Sequence, residues 1–252
     1  MRPVKRIASR ENPLFKELLK LASSSRQRRK SARTLLEGVH LVEAYHTAGG
    51  IPEHLVVSGS GLESREIEKL LKQLAGIPVT SLSDGLFAEL SQLETPAGIL
   101  AVISLPKPAA ASQAADFIVL AERVQDPGNL GSILRSAQAA GVKQAYLSRD
   151  CADAWSPKVL RAAMGAHFGL DLIEGADLIK TARNFKGSVV AATLKSPKTL
   201  YQVKLTGPVA FIIGNEGAGI SPALLRTADE VVTIPMPGGA ESLNAAAAAA
   251  VC

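Results

Sequence analysis

Residues 117–148, FIVLAERVQDPGNLGSILRSAQAAGVKQAYLS, decide the fold. Phe117 to Ala121 form a continuous apolar run, the pattern of a strand buried on both faces. NLGSILRSAQAAG predicts a helix closed by Gly141, and VKQAYLS predicts the next strand. A strand, a helix and a strand in about thirty residues make a crossover unit, whose strands must run parallel.

Outward from this unit the alternation continues. SPKVLRAAMGA starts with Ser156 as N-cap and Pro157 in the first helical turn. LDLIE, SVVAATL, VAFIIG and EVVTIP predict strands, SPALLRTAD a helix, and SLNAAAAAAVC a terminal helix. Residues 117–252 therefore predict an α/β domain with a parallel sheet covered on both faces, whose ligands bind beyond the carboxyl ends of the strands. Upstream, PKPAAASQAAD (106–116) carries two prolines among small residues and predicts a linker. Residues 1–105 predict a smaller α/β domain. Within it LLEGVHLVEAYHTAG reads as a helix entered near Glu37, SREIEKLLKQLAG as an amphipathic helix, and HLVVS, IPVTSLS and ILAVISL as strands.

The chain has 252 residues, 47% hydrophobic and 20% charged, enough to build a core. No apolar run reaches the roughly 18–20 residues of a bilayer span, and the charged N-terminus lacks a secretory apolar block. Cys151 and Cys252 stand far apart, without metal-ligand spacing, so neither a zinc site nor a disulfide is expected, in keeping with a cytoplasmic protein. Charge is uneven. Arg2, Lys5, Arg6, Arg10, Lys16, Lys20, Arg26, Arg28, Arg29, Lys30 and Arg33 face only Glu11 and Glu17 in residues 1–33, a local charge of +9 in a chain whose net charge is +5. Such a cluster can be a solvated terminus. It can also be an arm that binds RNA phosphates, through Arg2, Lys5, Arg6, Arg10, Arg26, Arg28, Arg29, Lys30 and Arg33, because each contact releases condensed counterions.

Three strand-to-helix turns carry the candidate chemistry. Glu122 to Gly131 (ERVQDPGNLG) leads into a helix bearing Arg135; Ile213 to Ile220 reads IGNEGAGI; Ile234 to Asn244 reads IPMPGGAESLN. All three fall at one edge of a parallel sheet, where glycine lets backbone amides approach a ligand closely. Each has a plain reading as well: Pro-Gly-Asn is a common turn, Asn129 a possible N-cap, Arg135 a surface cation, Glu216 a helix-start acid. The second turn is GxxGxG and not the GxGxxG of dinucleotide enzymes, and no phosphate-binding Gly-Lys-Ser/Thr occurs.

Taken together, Asn129-x-Gly131-x-x-x-Arg135, Gly214-Asn215-Glu216-Gly217-x-Gly219 and Ile234-Pro235-Met236 with Glu241-Ser242-Leu243-Asn244 resemble the signature motifs of the SpoU (TrmH-type) RNA ribose methyltransferases of the SPOUT superfamily. Arg161-Ala-Ala-Met-Gly165-Ala166 resembles a segment between the first two motifs. Ser9-x-x-Asn12-Pro13, Leu36-Glu37-Gly38 and Thr95-Pro96-x-Gly98-Ile99-Leu100-Ala101 resemble the substrate-binding domain that precedes the catalytic one in this family. The resemblance implies a C-terminal α/β knot, the cofactor S-adenosylmethionine, methylation of a ribose 2′-hydroxyl, and a homodimer needing no metal. The separate N-terminal domain with its basic cluster makes a structured ribosomal RNA the first expectation and transfer RNA the second. The resemblance implies cofactor contacts from Gly214, Asn215, Glu216, Gly217, Ile234, Met236, Ser242 and Leu243. Arg135 would be the catalytic arginine, with Asn129, Glu216, Ser242 and Asn244 shaping its site. It also implies a longer terminal helix than AAAAAAVC, whose small side chains predict loose packing. A non-catalytic RNA-binding protein on the same scaffold is the alternative, and a cofactor-binding assay separates the two.

Overall fold

The computed structural model describes residues 5–91, 93–106 and 115–252. The chain divides into two compact units, Met1–Pro106 with Trp155–Phe168, and Lys107–Ala154 with Gly169–Cys252. Most of the predicted linker, residues 107–114, lies outside the described residues.

In the first unit β1 (Lys5–Ile7) is followed by α1 (Pro13–Ser23), α2 (Ser25–Ser31), β2 (Arg33–Glu37), α3 (Val39–Thr47), β3 (His54–Ser58), α4 (Arg65–Gln73), β4 (Val79–Leu82), α5 (Asp84–Leu90) and β5 (Ile99–Ser104). The strand order is β1-β4-β3-β5-β2, with β5 antiparallel to both neighbours and the other pairs parallel. Asn12 caps α1 by accepting from the Leu14 amide, and Pro13 occupies the first turn. Phe15, Leu18 and Leu21, one face of α1, pack with Leu35, Val56, Phe87 and Val102.

Two expectations are corrected here. Arg33–Glu37 is a strand, so helix α3 begins at Val39, after Gly38 turns the chain with φ 98°. Helical spacing does not separate the two readings, because four buried residues in succession equally fit a strand covered on both faces. The basic N-terminus is no loose arm: residues 5–33 are a strand, two helices and the start of β2.

The second unit contains β6 (Phe117–Ala121), α6 (Pro127–Ala139), β7 (Gln144–Leu147), β8 (Asp171–Glu174), α8 (Leu178–Asn184), β9 (Ser188–Ala192), β10 (Val209–Ile213), α9 (Pro222–Leu225), β11 (Glu230–Val232) and α10 (Ala245–Val251). Its six strands are all parallel, in the order β11-β9-β10-β6-β7-β8. Val209 to Ile213 is buried throughout, as expected of a central strand covered on both faces. α10 packs on α6. Its alanines leave a cavity of about 200 Å³ beside Phe117, Phe211 and Cys252, and burial pushes the Cys252 thiol up to about 11.

Between β7 and β8 the chain enters the first unit as α7 (Pro157–Ala163), capped by Ser156. Trp155–Phe168 thus belongs with the N-terminal residues, whereas the sequence reading assigned it to the catalytic domain. Its attachment is specific: Arg161 Nη1 lies 2.9 Å from Glu37 Oε2, and Thr34 donates to the Trp155 carbonyl at 2.6 Å. Among the described residues no helix is long and apolar enough to cross a membrane.

Candidate active site

Because every strand of the second unit is parallel, the loops after β6, β9, β10 and β11 leave the sheet at one edge. The first turn is shaped by Arg123, which takes the left-handed conformation at φ 54°. Its amide donates to Ser148 Oγ at 2.9 Å and its carbonyl accepts from Asn215 Nδ2 at 2.7 Å. Asp126, not Asn129, caps α6 by accepting from the Asn129 amide at 2.8 Å. The Asn129 side chain is thereby left for other work.

The second turn folds on itself. Asn215 and Gly219 exchange backbone hydrogen bonds at 3.0 Å, and Asn215 Oδ1 accepts from the amides of Gly217 and Ala218. At Gly214 an added Cβ would lie 2.5 Å from the Gly219 carbonyl carbon and 2.6 Å from the Ile220 nitrogen, so no side chain fits. Glu216 joins this turn to the first. Its carboxylate accepts from the amides of Gln125 and Asp126, from Asn129 Nδ2 at 3.1 Å and from Asn215 Nδ2. Burial alone would raise its pKa, but the donors, Asn129 foremost, outweigh burial and hold Glu216 below the ordinary carboxylate value.

The third turn joins through Asn244, whose Nδ2 donates to Asn129 Oδ1 at 2.8 Å while its Oδ1 caps α10. Asn129 thus accepts from Asn244 and donates to Glu216, and one amide ties together turns that are 115 and 87 residues away in the chain.

These connections enclose a cavity of about 430 Å³, within the roughly 300–1,000 Å³ range of small-molecule sites. Gly214, Asn215, Glu216 and Gly217 line it from the second turn, and Ile234, Met236, Ser242 and Leu243 from the third. The first turn does not line it but braces its wall through Asn129 and Glu216. Arg135 is exposed on α6 and is not part of the lining. Sequence reasoning missed another wall, Ala192 to Lys195 after β9. It has no glycine; its position at the carboxyl end of a predicted parallel strand was the available signal. Glu122 was also missed as a support: its carboxylate accepts from both the amide and the hydroxyl of Ser221 at 2.6 Å, fixing α9 beneath the second turn.

The basic residues of the first unit separate into bound and free groups. Arg28, only 4% exposed, donates to the carbonyls of Leu21 and Ala22, which withdraws it from the expected RNA-facing set. Arg10 pairs with Glu89 at 2.7 Å, and Arg33 pairs with Glu17 and Glu53. Lys5 and Arg6 on β1 and Arg26, Arg29 and Lys30 on α2 are exposed. Arg2 lies outside the described residues.

Comparison with known proteins extends over the whole chain. Residues 116–252 match the SpoU rRNA Methylase family, and residues 12–101 match the MRM3-like substrate binding domain. The chain is 34% identical over 251 residues to 23S rRNA (guanosine(2553)-2′-O)-methyltransferase RlmP of Bacillus subtilis (strain 168), covering 98% of this chain and 97% of that protein. A crystal structure of an RNA 2′-O ribose methyltransferase superposes with a TM-score of 0.85 at 31% identity, covering 98% of this chain and 95% of that one. The SpoU methyltransferase AviRb from Streptomyces viridochromogenes, solved in complex with AdoMet, gives 0.83 at 28% identity, covering 96% of this chain and 95% of that one. With its parallel sheet, its three cross-braced turns and a family match over more than half its length, the chain belongs to the SpoU rRNA methylase family.

Proposed function

We propose that the protein transfers a methyl group from S-adenosylmethionine to a ribose 2′-hydroxyl of ribosomal RNA in the cytoplasm. The observation that carries this reading is the convergence of the turns: the second and third line one cavity, and Asn129 and Glu216 hold the first against it. The cavity fits the cofactor in size and in kind, because Gly214 brings backbone too close for any side chain and the other walls are mostly apolar. The relatives described above, named for 2′-O methylation of RNA or solved with AdoMet, support the same reading.

The cofactor supplies a methyl group on a sulfonium centre, and displacement onto oxygen requires an aligned nucleophile, with no metal needed. Gly214 and Leu243 shape the cavity, while Glu216 and Asn244 keep its walls in register. A guanidinium holds its proton too firmly to accept another group's, so Arg135 does not serve as a base. Its guanidinium stabilises the developing alkoxide, and a phosphate or water takes the proton. Since Arg135 is exposed and does not line its own cavity, it acts at the cavity of a second subunit in a homodimer, with the C-terminal segment threaded as a knot. Mixing Arg135→Ala chains with Gly214→Leu chains therefore restores methylation in the mixed dimer. RNA phosphates are met by Arg26, Arg29 and Lys30, helped by Lys5 and Arg6.

The test is mass-spectrometric mapping of ribose methylation in ribosomal RNA from cells lacking the protein. One 2′-O-methyl group disappears, returns with the wild-type chain and stays absent with Arg135→Ala, which still binds cofactor within about tenfold of wild type. An unchanged methylation map overturns the reading.

A further inference from the structure

We propose that Lys195 pairs with the α-carboxylate of the bound methyl donor, and so fixes the end of the cavity where the amino-acid tail lies. This rests on the methyl-transfer reading above. Two charged residues line the cavity, Glu216 and Lys195. Glu216 is fully committed, since its two oxygens already accept from Gln125, Asp126, Asn129 and Asn215. Lys195 is not committed. It uses its carbonyl to accept from Thr193 Oγ at 3.2 Å, and its ammonium has no carboxylate partner among the described residues. Lys198, three residues on, pairs with Glu230 at 2.7 Å, so the same loop holds one satisfied lysine and one unsatisfied lysine.

The donor carries a sulfonium, an ammonium and one carboxylate. A lysine in the wall repels the first two and attracts the third, so the tail settles with its carboxylate toward β9 and its positive groups toward backbone carbonyls. Lys195 is exposed, at the rim of the cavity, where water and salt weaken the pairing. A preference of about threefold to fivefold is expected from a pair of this kind.

Titration calorimetry on the full chain tests the proposal with two ligands that differ in one group: S-adenosylhomocysteine, and S-adenosyl-3-thiopropylamine, which keeps the ammonium and lacks the carboxylate. Wild type prefers the first by about threefold to fivefold. Lys195→Met brings the two within about 1.5-fold, mainly by weakening the first, and Lys195→Arg keeps most of the preference. A Lys195→Met variant that loses affinity equally for both ligands, or for neither, overturns the pairing. A loss confined to RNA binding overturns it too, and makes Lys195 a phosphate contact. Wild type that binds neither ligand instead sinks the methyl-transfer reading itself.

Discussion

Glu216 illustrates how one side chain holds three turns. Four donors converge on its carboxylate, and one of them, Asn129, also receives Asn244. Its pKa lies below the ordinary glutamate value, despite burial acting the other way, because Asn129 and the loop amides favour the ionised form. A depressed folded value means that ionisation contributes stability above the unfolded pKa, and that this stability is lost as pH falls through the folded value. Glu216→Gln places an amide NH₂ among N–H donors. At pH 7 unfolding should become easier by about 1 kcal/mol, a figure kept low because the group is exposed. The gap from wild type should narrow as the pH falls through the unfolded carboxyl value of about 4.3 and close below the lower folded value, where the native carboxyl also protonates. Urea unfolding of both chains from pH 7 to pH 3.5 checks this, and a constant gap would show that charge is not the cause.

At the scale of elements, the turns are set by what their backbones can tolerate. Gly214→Ala drives a Cβ into the Gly219–Ile220 backbone, which cannot rotate away; Gly217→Ala meets only Asn215 Oδ1 at 3.8 Å. We expect the first to lower stability by about 1–3 kcal/mol and abolish cofactor binding, and the second to leave both nearly intact. Calorimetry on the pair checks this, and equal effects would mean that glycine flexibility matters more than close approach. Helix α2 allows a similar contrast. Replacing Arg26, Arg29 and Lys30 together by alanine should flatten the salt dependence of RNA binding by up to about two units of slope, at roughly 0.7 per phosphate. Arg28→Ala should leave the slope alone and lower the unfolding temperature, since Arg28 is buried on the Leu21 and Ala22 carbonyls. Filter binding at several salt concentrations separates the two. The parallel sheet and the second and third turns were legible because apolar runs and clustered glycines report directly on burial and close approach. The wall at Ala192–Lys195 was not, because an ordinary loop acquires its role only from the strand order, with β9 beside β10. The fate of the basic cluster was also hidden. Periodicity does not say which arginine in Arg26-Gln-Arg-Arg-Lys turns inward.

On the scale of the whole molecule, the division at Pro106 is accompanied by a second crossing of the chain between units. Residues 155–168 lie within the sequence of the second unit but build the first. Local pattern could not reveal this: the Ser156-Pro157 helix start is the same whichever core receives the helix. Val159, Leu160 and Ala163 are buried, and Glu37, with its side chain 2% exposed, accepts from both Arg161 and Ser91. Removing one partner of such a pair leaves a buried charge, which is more costly than never having had the pair. Arg161→Met should therefore lower stability by about 3 kcal/mol. Adding Glu37→Gln should recover part of that loss, because glutamine keeps an acceptor for Ser91 without a stranded charge. Chemical denaturation of the two variants checks the order of stabilities, and a double variant no better than Arg161→Met would mean that packing of α7, not charge, dominates. By the same reasoning, a fragment ending at Pro106 leaves the surface of β2 that receives α7 bare. It should unfold at a lower denaturant concentration than the same fragment supplied with a peptide of residues 154–169. A peptide that raises the midpoint identifies α7 as a missing part of that core; one without effect would place the stability of the first unit entirely in residues 5–106.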